Sequence, residues 1–372
     1  MIEKQTYSLY AHTHRFDTNE KCQAYLMQTR WKDGIPTCPK CENNKMNYYL
    51  KTRNVYKCSE CYTQFSITQG TIFERTKIPL TQWFLAIFIF TTNKRGISSC
   101  QLAKWLGVKQ HTAWFMLHRL REGIKEENNI ILHGIVEADE TYIGPKVNRD
   151  NRLQMARKIH EAEQDRIHGL TRSKRLKMGD KKKRGRKKGS TKEVLQQKAI
   201  DRGGRKYYSH HTERVPFEKG AVILGMVEQS GRVVMKKLGI NFRSVTRENV
   251  YPHLLNHITR ESIFVTDQLN VYAETGKFFA EHRTVNHDVG YVINDIHING
   301  IENNWMHLKK TIKGTYFHLS YHHFEGYLNE ITYRWNRRKE SEKFLFEDFI
   351  PLAIHKSITY KSLIRRNIKL VA

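Results

Sequence analysis

The chain has 372 residues and a formal net charge of +27. Its 39 % hydrophobic content can build a core, so composition excludes a wholly disordered chain, and the length suggests two or three domains. So large a positive charge points to nucleic acid as the partner, with an anionic membrane as the competing one. The longest strongly apolar run, 83–90, is far short of the ~20 residues that span a bilayer.

Helix patterns around two cysteine pairs make up the N-terminal third. Residues 17–31 predict a short helix that Asp17 opens in a capping box. Residues 79–93 begin with proline and continue as a mostly buried helix. Residues 98–122 predict two further helices with Gly107 between them.

The second half alternates strand and helix patterns, which predicts a mixed α/β fold and not an all-helical regulator. A long polar stretch, roughly 146–215, interrupts the pattern after its first strand. The order is strand, hairpin, helix, strand, helix, strand and long helix, at 130–143, 221–238, 248–258, 262–267, 270–280, 282–287 and 297–316.

Four cysteines stand at metal-ligand spacing: Cys38-x2-Cys41, sixteen residues, then Cys58-x2-Cys61. Two such turns can present four thiolates to one tetrahedral zinc ion, which leaves no open coordination position, so the predicted zinc is structural. One alternative is a redox pair, although no βαβ pattern surrounds either CxxC. The other is a chance spacing of reduced thiols. Metal binding would explain how a segment with few large apolar groups folds.

Residues 98–123 fit a helix, a glycine turn and a second helix, as in DNA-binding helix-turn-helix modules. In such modules the first residues of the second helix reach base edges or phosphates, and basic residues further along support phosphate contact. A plain helical hairpin fits the same pattern. The DNA-contacting candidates are Lys109, Gln110, His111, Thr112 and Arg119.

The polar stretch is strongly basic, since residues 149–206 hold 21 basic and 7 acidic side chains. Arg184 and Arg186 flank a glycine there, and such a core can enter a narrow A·T minor groove. The alternative is a flexible loop that binds phosphate without sequence preference. Both readings predict a DNA affinity that falls steeply with salt.

The segment VEADETYIG, 136–144, carries three acids in a strand pattern, although strands are depleted in acidic residues. With a period of two, Glu137 and Asp139 share one face and Glu140 points to the other. Two carboxylates on one face repel each other unless a cation lies nearby. Asp267 ends another buried strand, where α/β sheets place their chemistry.

Glu302 lies beside the core stripe of the long helix and can point toward the strand carboxylates. Structural roles are the alternative for each acid. Asn299 and Glu302 match a capping box, Asp267 is placed to cap the next helix, and Glu137 has many arginines available as partners. Occurring together in a basic chain, the acids favour a shared divalent-metal site.

The chain resembles zinc-ribbon insertion-sequence transposases with a DDE catalytic domain in five blocks: RWKDGIPTCPKC, VEADETYIG, VTDQLNVY, HINGIENNWMHLKKTIKGTY and YLNEITYRWNRR. The resemblance covers about 15–145 and 217–340. It departs from the family at Pro145, where a second glycine is common, and in the enlarged basic stretch.

The resemblance implies a ribonuclease-H-like catalytic domain in which Asp139, Asp267 and Glu302 take the places of the DDE triad and hold two Mg²⁺ or Mn²⁺ ions. Residues in matching blocks that would support these ligands are Glu137, Glu140, His297 and Asn299. Lysines expected beside the scissile phosphate, or alternatively on a solvated helix face, are Lys309, Lys310 and Lys313.

The implied function is a DNA transposase that binds terminal inverted repeats and catalyses strand cleavage and strand transfer. Its partners would be transposon-end and target duplexes, and synapsis would need a homodimer or higher assembly. We expect a bacterial cytoplasmic, nucleoid-associated protein without a membrane partner, since the N-terminus lacks a signal-peptide core. The alternatives are a catalytically inactive DNA-binding regulator and a ribonuclease-H-like nuclease or resolvase.

The predicted architecture is multidomain α/β. A zinc ribbon with an N-terminal helix would occupy 1–75, and a helix-turn-helix region 76–128. The catalytic domain would occupy 129–340, with a basic flexible insertion at 149–215. A helical tail would follow at 341–372.

Overall fold

The computed structural model describes residues 7–144, 220–239, 244–267, 270–285, 292–293, 296–297, 299–316 and 319–365. The predicted basic insertion, with Arg184 and Arg186, lies outside this part of the chain. The helices are α1 Leu9–Arg15, α2 Asn19–Arg30, α3 Leu80–Thr92, α4 Ser99–Leu106, α5 Gln110–Gly123, α6 Arg247–His257, α7 Asn270–Thr275, α8 Asn299–Thr311, α9 Phe324–Asn336, α10 Glu342–Ala353 and α11 Tyr360–Arg365.

The strands form three sheets. The ribbon strands are β1 Asn47–Leu50, β2 Val55–Cys58 and β3 Gln64–Phe65. The strands of the main sheet are β4 Ile135–Ile143, β5 Ala221–Glu228, β6 Val233–Gly239, β7 Ile263–Thr266 and β8 Glu281–Thr284. A small hairpin, β9 Val292–Ile293 and β10 Ile296–His297, precedes α8.

Helix α3 lies at the centre of the N-terminal helical region. Its sequence, LTQWFLAIFIFTT, is apolar on nearly every side, so it requires neighbours all round. Helices α1, α2, α4, α5 and α10 contact it, and Phe84 and Phe346 lie in the shared core. The predicted C-terminal tail therefore contributes α10 to the N-terminal core.

The first two helices differ from the prediction. Thr18, and not Asp17, caps α2, because its Oγ1 accepts a hydrogen bond from the amide of Lys21. Asp17 instead pairs with the Lys21 ammonium at 2.9 Å. Helix α1 was not predicted, because it buries only His12 and so has no apolar period.

Helices α4 and α5 form the predicted pair around a glycine turn. Gly107 ends α4 with a φ of +66°, in the left-handed region where glycine is favoured. Its amide donates back to the carbonyl of Ala103. The turn therefore leads directly into α5, whose N-cap is Lys109.

The main sheet has the order β6-β5-β4-β7-β8. The pairs β6–β5 and β5–β4 are antiparallel, whereas β7 and β8 continue the sheet in parallel with β4. Every residue of β5 is buried, because helices cover both faces. Helices α8 and α9 pack on one face, and α6 and α7 on the other.

Candidate metal and active sites

The four predicted zinc ligands lie in one cluster, with all their sulfur atoms within 4.8 Å of one another. Cys41 Sγ lies 3.5 Å from Cys58 Sγ and 3.4 Å from Cys61 Sγ, and Cys38 Sγ lies 3.6 Å from Cys61 Sγ. Four thiolates bonded to one tetrahedral zinc at about 2.3 Å would stand ~3.8 Å apart. The donor set and its spacing therefore fit one structural Zn²⁺.

Two similar backbone turns shape this cysteine cluster. Glu42 and Tyr62, which follow the second cysteine of each pair, have φ values of +59° and +55°. The amide of Glu42 donates to the carbonyl of Cys38, and the amide of Cys58 donates to that of Thr63. Because both turns present their sulfurs to the same point, the geometry favours a shared metal over two redox pairs.

Strand β4 separates its acids as the period of two predicts. Glu137 accepts a hydrogen bond from the amide of Ile301, on the face that α8 covers. Asp139 contacts the same helix through Trp305. Glu140 accepts from a tyrosine of α7, on the opposite face. The predicted division of the three carboxylates between two faces is confirmed.

Asp139 is half-buried and accepts a 2.7 Å hydrogen bond at Oδ2 from Nε1 of Trp305. Burial raises the pKa of Asp139, the indole bond and a bond from the Glu140 backbone lower it, and the charges of Asp267 and Glu302 raise it. The net effect is a raised pKa. The charges of Asp267 and Glu302 therefore both act on the Asp139 carboxylate.

The position of Asp267 follows from strand register. Strands β4 and β7 are parallel, and Glu137 lies opposite Val265. Asp267 directly follows β7, two residues beyond Val265, and Asp139 lies two residues beyond Glu137, so the register directs Asp267 toward Asp139. Glu302 lies in the first turn of α8 and is exposed.

Glu137 docks the start of α8 onto β4. It is buried, and its Oε2 lies 2.8 Å from the amide nitrogen of Ile301. A Cβ atom on Gly300 would lie 2.8 Å from both carboxylate oxygens, so glycine makes this close approach possible. Glu137 accepts a hydrogen bond from one of the amides that have no partner within the first turn of the helix. Its negative charge is also favourable at the helix N-terminus because of the helix dipole.

Glu140 lies close to the triad but on the other side of the strand. The hydroxyl of Tyr272 donates to its Oε1. Burial raises the pKa of Glu140 to about 7, with the tyrosine bond opposing this and the charges of Asp139 and Asp267 adding to it. Its contact is therefore with the core of the α7 face.

The other predicted site residues near the triad lie at the two ends of α8. His297 lies on β10, paired with Val292, and its side chain is not among those described. Asn299 is the exposed first residue of α8. The lysines at the end of α8 and in the turn after it are all exposed: Lys309, Lys310 and Lys313.

Among the described residues, the four cysteines are the one group of three or more His, Cys, Asp or Glu side chains placed closely enough to hold a metal ion as they stand. A site for two ions about 3.5–4 Å apart spreads its ligands more widely than a site for one ion. Carboxylate oxygens suit hard divalent cations such as Mg²⁺ and Mn²⁺.

The first turn of α5 presents polar groups to solvent. Lys109 and His111 are exposed, whereas Gln110 and Thr112 are half-buried. The side-chain amide of Gln110 donates to Ser99 Oγ at 2.8 Å, which ties the two helices together.

The prediction that Arg119 supports phosphate contact is wrong in this structure. The side chain is buried, Nη1 donates to the carbonyl of Ile72 at 2.7 Å, and the guanidinium lies over the ring of Phe115. Arg121, two residues on, is buried against Glu330. The basic residues in the second half of α5 therefore hold the core together.

Sequence reasoning missed the polar role of Trp305 and the two glycines around α8. A helical stripe of apolar residues predicts that Trp305 is buried, but it gives no partner for the indole N–H group. Gly225 lies opposite Asp139 in β5, and a Cβ there would come within 2.7 Å of the Trp305 ring atom Cζ2. An isolated glycine inside an apolar strand is a usable signal for such a close approach.

Comparison with known families places these features in one class. The ISXO2-like transposase domain family matches residues 131–336, more than half of the chain, and the transposase zinc-ribbon domain family matches residues 17–64. The chain belongs to the ISXO2-like transposase family. The first match contains β4, β7 and α8, and the second contains the cysteine cluster.

A curated relative from Halobacterium salinarum is described as an uncharacterized protein in transposable element ISH50. It is 28 % identical over 144 residues, which are 38 % of this chain and 48 % of the relative, so the match spans about half of that protein. No solved structure matches the chain. No helix in the described part of the chain is long and apolar enough to cross a membrane.

Proposed function

We propose that this transposase uses a DDE mechanism: it binds the terminal inverted repeats of an insertion sequence and catalyses metal-dependent DNA strand cleavage and strand transfer. The observation that supports the proposal is that Asp267, at the end of β7, and Glu302, on α8, both act by charge on Asp139 of β4. A DNA-binding regulator would not need these carboxylates together.

The sheet supports a ribonuclease-H-like catalytic domain. Three antiparallel strands, β6, β5 and β4, are followed by the parallel strands β7 and β8, with helices on both faces. Open α/β sheets bind ligands beyond the carboxyl ends of their strands, where Asp267 follows β7. Asp139 on the central strand and Glu302 on the covering helix would join it there.

The chemistry is an in-line phosphoryl displacement. Two Mg²⁺ or Mn²⁺ ions, when bound, would activate the attacking oxygen and stabilise the leaving oxygen. Asp139, Asp267 and Glu302 would hold them, and Glu137 would keep α8 against β4. Water is the nucleophile for nicking and the freed 3′-hydroxyl is the nucleophile for transfer, so no side chain forms a covalent bond to DNA.

The remaining predicted residues would bind DNA or support the metal ligands. Lys309, Lys310 and Lys313 are exposed beyond Glu302 on the same helix and the turn after it, and would neutralise the scissile phosphate. His297 and Asn299 would support the metal ligands from the chain just before α8. Residues that would contact the transposon end are Lys109, Gln110, His111, Thr112, Arg184 and Arg186.

The zinc ribbon and the α4–α5 pair would recognise transposon ends, and the assembly would contain at least two copies of the chain to hold both ends. A transposase that acts on chromosomal DNA would be found at the bacterial nucleoid. The net charge of +27 supports a DNA partner whose affinity falls steeply as salt rises.

Two variants test the proposal in assays with duplex DNA carrying the element's own ends. We expect Asp139→Ala and Asp267→Asn to bind the ends as the wild type does, and to lose cleavage and strand transfer with Mg²⁺. Asp17→Asn, which alters an exposed acid paired with Lys21, is the matched control. Cleavage at the wild-type rate by both active-site variants would contradict the proposal.

Pre-nicked ends separate the transposase from its nuclease alternative. A transposase joins the free 3′-hydroxyl of such an end to target DNA, and Asp139→Ala abolishes the joining. A hydrolytic nuclease or resolvase cleaves the uncut end but gives no joined product. Wild-type protein that binds the ends and gives neither reaction indicates the inactive regulator.

A further inference from the structure

Trp305 makes a polar contact with Asp139 although it belongs to the apolar stripe of α8. Its exposed fraction is 5 %, and its ring packs in the core between the sheet and α9. Its Nε1–H group donates to Asp139 Oδ2 at 2.7 Å, the length of a strong bond to a charged acceptor.

The sequence of the neighbouring strand makes room for this indole. Gly225 lies directly opposite Asp139 in the β4–β5 pairing. A Cβ at Gly225 would lie 2.7 Å from Trp305 Cζ2 and 2.6 Å from Ile301 Cδ1, distances that real Cβ atoms do not show. The glycine therefore allows the ring to approach β5 closely while its N–H group reaches the carboxylate.

The indole is the side-chain hydrogen-bond donor that the described residues offer to the Asp139 carboxylate. The charges of Asp267 and Glu302 oppose the ionisation of Asp139 and offer it no donor. Removing a hydrogen-bond donor that orients a metal ligand typically weakens metal binding by about 10–100-fold.

We infer that Trp305 is a positioning residue for the divalent-metal site: its indole N–H fixes the Asp139 carboxylate in the orientation that receives the ion. The inference rests on the proposed function, because it takes Asp139 as a metal ligand. The competing explanation is that Trp305 only fills the core, and that its N–H group takes the nearest acceptor.

The chain supplies a matched control in Trp335. Its Nε1–H group donates at 3.0 Å to a backbone carbonyl, that of Gly231, and not to a carboxylate. Replacing either tryptophan by phenylalanine removes one indole hydrogen bond and a similar volume. Only Trp305→Phe removes the donor to Asp139.

The experiment measures Mn²⁺ binding to the zinc-loaded full chain by electron paramagnetic resonance, without DNA. We expect Trp305→Phe to weaken Mn²⁺ binding by about 10–100-fold and Trp335→Phe to leave it within about twofold of the wild type. The Mn²⁺ concentration that half-activates strand cleavage should shift by the same factor. Thermal unfolding of both variants shows whether the folds are comparable.

A second variant separates the hydrogen bond from the packing. Benzothienylalanine at position 305 keeps the size of the ring and replaces N–H by sulfur, so it should weaken Mn²⁺ binding as phenylalanine does. Wild-type Mn²⁺ affinity in a folded Trp305→Phe or benzothienylalanine protein overturns the inference. Wild-type cleavage by Asp139→Ala would instead overturn the proposed function.

Discussion

Glu330, on α9, connects the N-terminal helices to the α/β region through buried charges. Its carboxylate lies 2.6 Å from Nε of Arg121 on α5 and 2.5 Å from Nη1 of Arg334 on α9. The hydroxyl of Tyr316, in the turn that continues α8, donates to it at 2.6 Å. The exposed fractions of Glu330, Arg121 and Arg334 are 0 %, 2 % and 6 %, so water does not replace a lost contact.

Glu330→Gln should therefore be strongly destabilising, because it leaves two buried guanidinium charges without a carboxylate. Removing one partner of a buried ion pair costs about 3–5 kcal/mol, and we expect a loss of that size in the free energy of unfolding. Urea titration followed by tryptophan fluorescence measures it. Neutral glutamine keeps the side-chain volume, so the loss reports charge and hydrogen bonding.

Glu274→Gln is the matched control. Glu274 pairs with Arg247 at 2.6 Å, but the two side chains are 49 % and 52 % exposed, so its loss should stay below about 1 kcal/mol. If Glu330→Gln costs no more than this control, the network does not carry the stability that we assign to it.

The same network predicts a pH dependence. Burial acts to raise the pKa of Glu330, but the charges of Arg121 and Arg334 outweigh it and hold the pKa below its usual 4.5. A carboxylate with a lowered pKa stabilises the fold above its unfolded pKa and loses this effect as the pH falls through the folded one. The gap between wild type and Glu330→Gln should therefore be constant near neutral pH and narrow below about pH 4.5.

Three further predictions follow from local contacts. Cys58→Ser removes one thiolate of the cluster, so the zinc bound to the purified protein should fall to background when it is measured by mass spectrometry. Stoichiometric zinc in this variant would contradict the four-cysteine zinc site. Gly300→Ala brings a Cβ within 2.8 Å of both Glu137 oxygens and should lower the free energy of unfolding by about 1–3 kcal/mol, measured by urea titration. An unchanged urea midpoint would show that α8 can shift freely. Lys109→Gln should lower DNA affinity and reduce the slope of log affinity against log salt concentration by about 1. Arg119→Gln should instead lower the stability of the fold and leave this slope unchanged. The reverse result would restore Arg119 as a phosphate contact.

Local patterns predicted the parts of the site that depend on spacing alone. The CxxC pairs predicted the cysteine cluster because the turn geometry is set within four residues. The period of two assigned Asp139 and Glu140 to opposite faces of β4, because side chains alternate in any strand. Gly107 marked the α4–α5 turn for a similarly local reason, its left-handed backbone.

Long-range partners were beyond these patterns. Arg119 and Arg121 look like surface residues of a basic helix, and only Ile72 and Glu330, 47 and 209 residues away, show them to be buried structural groups. The indole of Trp305 is separated from Asp139 by 166 residues. A helical stripe reveals that such a ring is buried, but its hydrogen-bond partner depends on the tertiary fold.

Anomalous diffraction from crystals of the full chain, grown with transposon-end DNA and Mn²⁺, tests the central claim most directly. The account predicts Mn²⁺ peaks between the carboxylates of Asp139, Asp267 and Glu302, in wild-type crystals and not in Asp139→Ala crystals. Mn²⁺ bound elsewhere on the chain, or a triad that stays without Mn²⁺ beside a bound DNA end, would contradict it.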